Sequence, residues 1–150
     1  DADKLTPALH LSQTQYLREI IGTDLYNYYV TAITALIANN TPIPTNHANL
    51  LNDYIKPILI HLTLSEYLKS GAFLVSNKGI YKHTSENSSE ATSEEIKELV
   101  QLERDRAESY TERFLDHMSF YASANFPEWF SNSNDEQSPN YKSYSIDWVI

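Results

Sequence analysis

Residues Ile58–Leu64 read ILIHLTL, a run in which nearly every position is apolar. A helix that is apolar almost all round is normally buried inside a fold, so we expect a central, wholly buried helix here. The helical stretch around this run extends from about His47 to Leu74. Proline lacks the N–H that an α-helix requires, so Pro57 predicts a kink or a fresh start.

Two further helices are predicted before this central stretch. Ser12 and Gln15 stand at the spacing of a capping box, which predicts a short helix over 13–21. Thr23 is expected to cap a second helix that runs to about Ala38. The apolar residues of the second helix recur at helical spacing and predict one buried face, formed by Leu25, Tyr28, Tyr29, Ala32, Ile33, Leu36 and Ile37.

A long last helix is predicted from about Ser93 to Ala124. Thr92 and Glu95 have the spacing of a second capping box at its start. Its apolar stripe is broken at Glu103, so we expect its first turns to be less buried than the rest.

A polar stretch of unusual length, Ser76–Ser93, separates the last two helical segments. Loops of this length are uncommon inside compact domains and are usually functional. The middle of the stretch has the composition of a short strand or an extended arm. We predict that this arm contacts a neighbouring protein, through Asn77, Lys78, Gly79, Ile80, Tyr81 and Lys82.

The C-terminal residues form a different pattern. The polar run Ser131–Ser138 is typical of a flexible linker. Apolar residues then alternate strictly, as in an extended strand that adds to a neighbour's edge or pairs with the arm, at Tyr144, Ile146, Trp148 and Ile150. The sequence therefore predicts an all-α bundle of four to five helices over 1–130, with a long extended loop, followed by a linker and strand-like tail over 131–150.

Composition limits the possible functions. The chain has 20 acidic and 11 basic residues and a formal net charge of −9, which disfavours tight binding to nucleic acid. An acidic surface suits a soluble assembly subunit, or a wall past which nucleic acid slides without sticking. The absence of cysteine excludes zinc fingers and cysteine nucleophiles. No apolar run is long enough to span a bilayer, so we expect no membrane contact.

The sequence offers little chemistry for catalysis. Its three scattered glycines cannot build a phosphate-binding loop, and the spacings of known di-iron and metalloprotease motifs are absent. We interpret His61 as a core histidine that bonds to a neighbouring carbonyl or hydroxyl group. Four acidic residues of the last helix share one side: Asp105, Glu108, Glu112 and Asp116. We interpret this side as a solvated face that is balanced by Arg104, Arg106 and Arg113. We therefore expect no enzymatic activity, no cofactor and no metal site.

Tyrosine is unusually frequent, with eleven residues. Tyr26, Tyr28 and Tyr29 crowd one helical turn and cannot all face the same core. Tyrosine tolerates both water and apolar contacts. The tyrosines are therefore compatible with two interpretations, a half-buried aromatic helix or an interface.

Several motifs together resemble a known family. They are Gln15–Tyr26 (QYLREIIGTDLY), Leu50–Pro57 (LLNDYIKP), Ser76–Ile80 followed by Ser85–Ser88, and Phe126–Glu128. In this order they are similar to small helical head-tail connector proteins of tailed bacteriophages, a group found in phages of Bacteroidetes hosts that includes the ring proteins of crAss-like phages. The resemblance covers roughly Leu11–Phe130, and the terminal alternating strand is not matched.

The resemblance implies a structural virion protein of the phage neck. Such proteins form a homo-oligomeric ring, commonly twelvefold, that lies beneath the portal protein, extends the DNA conduit and provides a platform for the tail. It implies further neck and tail proteins as partners, DNA that passes without sequence-specific binding, and assembly in the host bacterial cytoplasm.

Two other functional classes stay open at this stage. One is a soluble acidic binding module of the immunity, antitoxin or adaptor type, with a single tight partner. The other is a metal-dependent enzyme that uses the carboxylates of Asp105–Asp116, although no histidine partner stands at a suitable spacing.

Overall fold

A computed structural model of the chain describes residues 2–71, 73–76, 79–82, 92–132 and 136–140. The elements in chain order are α1 (Ala2–Leu11), a first π-helical segment (Ser12–Leu17), α2 (Arg18–Ile21), α3 (Thr23–Asn39), α4 (Thr45–Leu50), a second π-helical segment (Leu51–Ile55), α5 (Lys56–Gly71), β1 (Phe73–Ser76), β2 (Gly79–Lys82), α6 (Ser93–Asn125) and a 3₁₀ turn (Pro127–Trp129). Helices dominate the described part of the chain, which confirms the predicted all-α class.

The hydrophobic core lies where α5, α6 and the N-terminal helices meet. Helix α5 packs against both α1 and α6, and is therefore central as predicted. The buried core residues are Leu17, Ile21, Leu25, Tyr29, Leu50, Ile55, Ile58, Phe114, Leu115, Met118, Ala122, Phe126 and Trp129. The prediction that Ile58–Leu64 is wholly buried is wrong, because Ile60 is 55% and Leu64 is 36% exposed.

The N-terminal helix begins much earlier than predicted. Ser12 does not cap a helix, because α1 already runs from Ala2 and continues through the first π-helical segment into α2. Its side chain is buried instead, and its hydroxyl has no hydrogen-bond partner among the described residues. The Ser12–Gln15 spacing was therefore a false cap signal inside a continuous helix.

A glycine turn joins α2 to α3. Gly22 has φ of 80°, a left-handed conformation that glycine adopts without steric cost. It takes the cap position that the sequence assigned to Thr23, which is instead the first residue of α3. The Thr23 hydroxyl accepts a hydrogen bond of 3.0 Å from the Arg18 Nε.

The predicted interruption at Pro57 takes the form of a π-helical segment. The wider turn Leu51–Ile55 lies immediately before Pro57, whose missing N–H cannot bond to the Asp53 carbonyl. Helix α5 then ends at Gly71, so the predicted end at Leu74 is wrong.

A short hairpin follows α5. Strand β1 pairs with β2 in antiparallel register, with Phe73 opposite Lys82 and Ser76 opposite Gly79. Aromatic and β-branched residues favour strands, which explains why Phe73–Ser76 leave the helix. Strand β2 occupies the positions at which the sequence predicts a short strand or arm.

Helix α6 follows its prediction closely. The Glu95 N–H donates to Thr92 Oγ1 at 3.1 Å, and the Thr92 N–H donates to Glu95 Oε2 at 2.7 Å, which completes the capping box. These bonds to Thr92 lower the pKa of the Glu95 carboxyl. The first turns are indeed less buried, since Leu99 is 46% exposed whereas Phe114 is fully buried.

Residues 136–140 return to the helical body. The Thr23 N–H donates to the Gln137 carbonyl at 2.9 Å, and the Asn140 N–H donates to the Ile20 carbonyl at 3.2 Å. Pro139 is buried beside Gly22. The flexible linker predicted over Ser131–Ser138 is therefore wrong for residues 136–138, while the domain division at residue 130 stays a prediction.

Candidate protein-interaction surface

The outer half of α3 is exposed although its sequence is apolar. Burial on this helix ends at Tyr29, and the residues that follow on the same side are open to solvent. Val30 is 49%, Ile33 is 36% and Ile37 is 81% exposed. The single buried face predicted for this helix is therefore wrong beyond Tyr29, because the described body of the fold covers only its first half.

A cavity of about 260 Å³ opens where α3 meets the first π-helical segment, α2 and α5. Apolar and aromatic side chains line most of it, among them Leu17, Ile21, Tyr26, Val30, Ile33 and Leu59. The exposed stripe of α3 thus begins inside this cavity and continues outward to Ile37, one helical turn beyond Ile33.

A second cavity, of about 300 Å³, lies between α1 and α5. Its apolar lining is formed by Leu5, Leu9, Leu59, Ile60 and Leu64, with Lys56 and Thr63 at its margin. Lys56 and Leu59 line both cavities, so the two lie next to each other. We call the surface formed by the residues that line either cavity, together with Ile37, the apolar surface. Leu17 and Ile21 in it belong to the buried core, whereas Val30, Ile33, Ile60 and Leu64 are among its exposed members.

The apolar surface is nearly free of charge. Among the described residues that line the two cavities, Lys56 is the only charged one. Its Nζ donates to the Asn52 side-chain oxygen at 2.6 Å. Charged residues make up 21% of the chain, so an exposed region with a single cation stands out. Contiguous exposed apolar regions mark sites of contact with proteins or membranes.

The apolar surface can bind apolar side chains but offers no donor set for chemistry. Within the described ranges, no group of three or more His, Asp or Glu residues is placed to hold a metal ion. No described helix has the length and apolar character needed to cross a membrane.

The arm and tail predicted as contact sites are only partly described. Gly79, Ile80, Tyr81 and Lys82 form β2, whose partner is β1. Asn77 and Lys78 lie outside the described residues, as do Tyr144, Ile146, Trp148 and Ile150. Their role as contacts therefore stays a prediction.

Sequence reasoning missed the apolar surface because it interpreted these residues as core. The sequence of α5 does contain an indication of this surface. Apolar residues occupy almost its whole circumference, which is more than the helix needs in order to pack against two neighbours. Ile60 and Leu64 are the surplus positions.

His61 links α5 to α6. Its Nδ1 lies 2.6 Å from Glu103 Oε2, and its ring stacks on Tyr110 with centroids 5.6 Å apart. The expected carbonyl or hydroxyl partner is thus wrong, since the partner is a carboxylate. Arg106 Nη1 donates to the other Glu103 oxygen at 2.6 Å. The bond to His61, followed by the charges of His61 and Arg106, lowers the pKa of Glu103.

Two other histidines occupy aromatic settings. The His47 ring lies 4.1 Å from the Tyr28 ring, and its Nε2 lies 3.3 Å from Glu128 Oε2. His117 contacts the rings of Tyr54 and Tyr121, each with centroids 4.8 Å away. Burial lowers the pKa of His117. These contacts hold α3, α4, α6 and the 3₁₀ turn together, which is a structural role.

Only one of the three crowded tyrosines of α3 is fully buried, since Tyr29 belongs to the core whereas Tyr26 and Tyr28 are half-buried and pack against it. Tyr29 is buried and its hydroxyl donates to the His47 carbonyl at 2.9 Å. Burial raises its pKa. Tyr28 stacks on His47, whereas Tyr26 lines the apolar surface.

The acidic side of α6 is solvent-exposed, which confirms that it is a solvated face. Arginines lie nearby in the sequence, but Arg104 pairs with Glu66 and Arg106 pairs with Glu103, so the expected balance by these two arginines is wrong. All four of its carboxylates are exposed, and the Asp105 side chain accepts a bond of 2.7 Å from Gln101.

Comparison with known proteins identifies one family. A family model, described as a family of unknown function (DUF6712), matches residues 17–138. The match spans α2 to α6, the 3₁₀ turn and the first three residues of the returning segment, and includes most of the apolar surface. Neither the curated proteins nor the solved structures give a match. The chain therefore belongs to the DUF6712 family.

Proposed function

We propose that this chain is a structural subunit of a phage neck, which forms an oligomeric ring beneath the portal protein, extends the DNA conduit and provides a platform for tail attachment. The observation that carries the proposal is the apolar surface. Exposed apolar area is costly in water, at roughly 25 cal/mol per Å², and a contact with another subunit removes that cost.

The distribution of charge supports self-assembly through this surface. Each subunit carries a formal net charge of −9, so copies that approach through charged faces repel one another. The apolar surface is lined by one cation and by no carboxylate among its described residues. It is therefore a region where two acidic copies can meet without opposing carboxylates.

The acidic side of α6 supports the conduit part of the proposal. Asp105, Glu108, Glu112 and Asp116 are exposed on one long helix. A wall with carboxylates of this kind repels the phosphate backbone, so DNA can move past it without being held. The proposed contacts with the portal and the tail, and the commonly twelvefold symmetry, are taken from the resemblance to phage connector proteins.

We also propose that the arm of residues 77–82 and the tail of residues 144–150 contact adjacent subunits or neighbouring neck proteins. Removing either segment should reduce assembly while far-UV circular dichroism of the isolated subunit stays nearly unchanged. Loss of helicity on removal would instead make the segment part of the subunit's own core.

Native mass spectrometry of this chain, alone and mixed with the portal protein of the same source, tests the proposed function. A discrete ring of subunits in either sample supports the proposal and gives the copy number. The portal protein of an unrelated phage serves as the control and should not promote assembly. A monomer or dimer that ignores the matching portal would favour the alternative, a binding module with a single basic partner.

A further inference from the structure

We infer that the apolar surface is the accepting half of a head-to-tail contact between copies of this chain, and that an aromatic pair at the end of α6 is the inserting half. We call Phe120 and Tyr121 the aromatic pair. The inference rests on the proposed ring function and names the interface that would close the ring.

The aromatic pair is exposed near the C-terminal end of α6, where the neighbouring positions Met118 and Ala122 are buried. Phe120 is 79% and Tyr121 is 53% exposed. The two rings have centroids 6.5 Å apart. The Tyr121 ring also lies 4.8 Å from His117, which holds this side chain in place. A large exposed phenylalanine beside an anchored tyrosine is typical of an interface anchor.

The accepting half provides a matching concave site. The cavity between α1 and α5 measures about 300 Å³ and its walls are aliphatic. An aromatic side chain gains most from such a pocket, because it buries a large apolar area at a low cost in conformational entropy. Ile60 is 55% exposed at this site, so a bound ring would cover it.

Charge favours a second copy as the occupant. Lys56 is the only cation among the described residues that line the accepting half, and its described hydrogen bond goes to the neutral Asn52 amide. Asp116 is exposed and precedes Phe120 by one helical turn. With Phe120 in the cavity, Asp116 lies within reach of Lys56. A basic partner would find no carboxylate in this described lining to pair with.

The two halves are separate surfaces of the same subunit. Phe120 and Tyr121 line neither of the two cavities that form the accepting half. One subunit can therefore insert its aromatic pair into one neighbour while it accepts the pair of another. Head-to-tail contacts of this type generate rings when the rotation closes.

Complementary variants test the inference. Ile60→Asp blocks the accepting half, Phe120→Asp blocks the inserting half, and Phe130→Asp is a matched control because Phe130 is 59% exposed outside both halves. Each sample is examined with and without portal by sedimentation velocity, and far-UV circular dichroism verifies the fold. We expect each blocking variant to self-associate at least about tenfold more weakly than the wild type, whereas the control assembles normally.

Mixing the two blocking variants gives the decisive result. Each variant retains one intact half, so the mixture should form dimers that contain one copy of each variant, and no ring. If the accepting halves of two copies contacted each other instead, Phe120→Asp would stay fully associated and mixing would give no dimers of one variant with the other. That result would overturn the inference. The charge reversals Lys56→Glu and Asp116→Lys provide a second test: each alone should weaken assembly, and both in one chain should restore it.

The outcomes separate this inference from the proposed function. If the wild type forms a ring and Phe120→Asp forms the same ring, the inference is wrong while the ring function stands. If the wild type remains monomeric alone and with portal at its highest soluble concentration, the ring function fails and the inference fails with it.

Discussion

Pro139 lies so close to Gly22 that a Cβ atom added to the glycine would stand 2.7 Å from the Pro139 Cδ. The contact joins the segment after α6 to the turn between α2 and α3, two regions more than a hundred residues apart in sequence. It is reinforced by the 2.9 Å hydrogen bond from the Thr23 N–H to the Gln137 carbonyl. Glycine is required here both for its positive φ of 80° and for the space that Pro139 occupies.

Replacing Gly22 by alanine should therefore destabilise the fold. We expect Gly22→Ala to lower the free energy of unfolding by about 1–3 kcal/mol, measured by urea denaturation, because a side chain is strained at this φ and collides with Pro139. Adding Pro139→Ala removes the contacts with Cγ and Cδ but leaves the backbone nitrogen at 2.9 Å and the strained φ, so the double variant should recover only part of the loss. An unchanged midpoint in Gly22→Ala would contradict this contact.

The bond between His61 and Glu103 predicts a specific dependence on pH. The pKa of Glu103 lies below its usual value of 4.5, chiefly because the carboxylate bonds to His61. The unfolded chain therefore takes up this proton first as the pH falls. The resulting stabilisation is present above about pH 4.5 and is lost as the pH falls through the folded-state pKa.

Glu103→Gln should remove this contribution. We expect the free energy of unfolding to fall by about 1–3 kcal/mol near neutral pH, because the hydrogen bonds to His61 and Arg106 are weakened. The unfolding free energy of the variant should then fall less steeply on acidification than that of the wild type. Glu98→Gln, on an exposed part of the same helix, is the control. If the unfolding free energies of the wild type and Glu103→Gln depended on pH in the same way, Glu103 would not be the source of this pH dependence.

His117 should also titrate abnormally, but for a different reason: burial disfavours its charged form, whereas the bonds to Glu103 favour the charged form of that carboxyl. Burial lowers its pKa below the usual 6.5, and the nearby Asp53 charge offsets this effect only in part. Protonation then occurs more readily in the unfolded chain, so this contribution to stability is present above pH 6.5 and is lost as the pH falls through the folded-state pKa. Titration of the imidazole signal by NMR, assigned with His117→Gln, should give a value below 6.5. A value at or above 6.5 would show that the ring is not desolvated as described.

Two isoleucines of α5 provide a direct test of the buried and exposed sides of this helix. Ile58 is fully buried and Ile60 is 55% exposed, although they are only two positions apart. We expect Ile58→Ala to lower the unfolding free energy by about 2–5 kcal/mol. Ile60→Ala should cost less than about 1 kcal/mol, because most of its side chain stays in water.

Thermal and urea unfolding of both variants measure this difference. Equal losses would mean that Ile60 is part of the subunit's own core and that the apolar surface is covered within one chain.

Local signals in the sequence were sufficient where the neighbouring residues decide the structure. The Thr92 and Glu95 pair predicted the start of α6, because a capping box closes entirely within four residues. Pro57 predicted an interruption for a similar reason, since its missing N–H acts on its own helix. The same kind of signal failed at Ser12, because the apolar pattern upstream continues the helix through it.

Tertiary relationships could not be predicted in this way. Nothing in the polar run before Pro139 indicates that it returns to Gly22, since the contact depends on how distant helices place the turn. The apolar surface was hidden for a related reason. Apolar spacing shows that Ile33 shares a helix face with the core residue Tyr29 and that α5 is apolar almost all round. It does not show whether the partner of such a face belongs to the same subunit.

Negative-stain electron microscopy of this chain mixed with the portal protein of the same source would show the proposed ring itself. We expect a closed ring of subunits, coaxial with the portal and open along its axis. Portal particles without additional density, accompanied by free monomers or dimers of this chain, would contradict it.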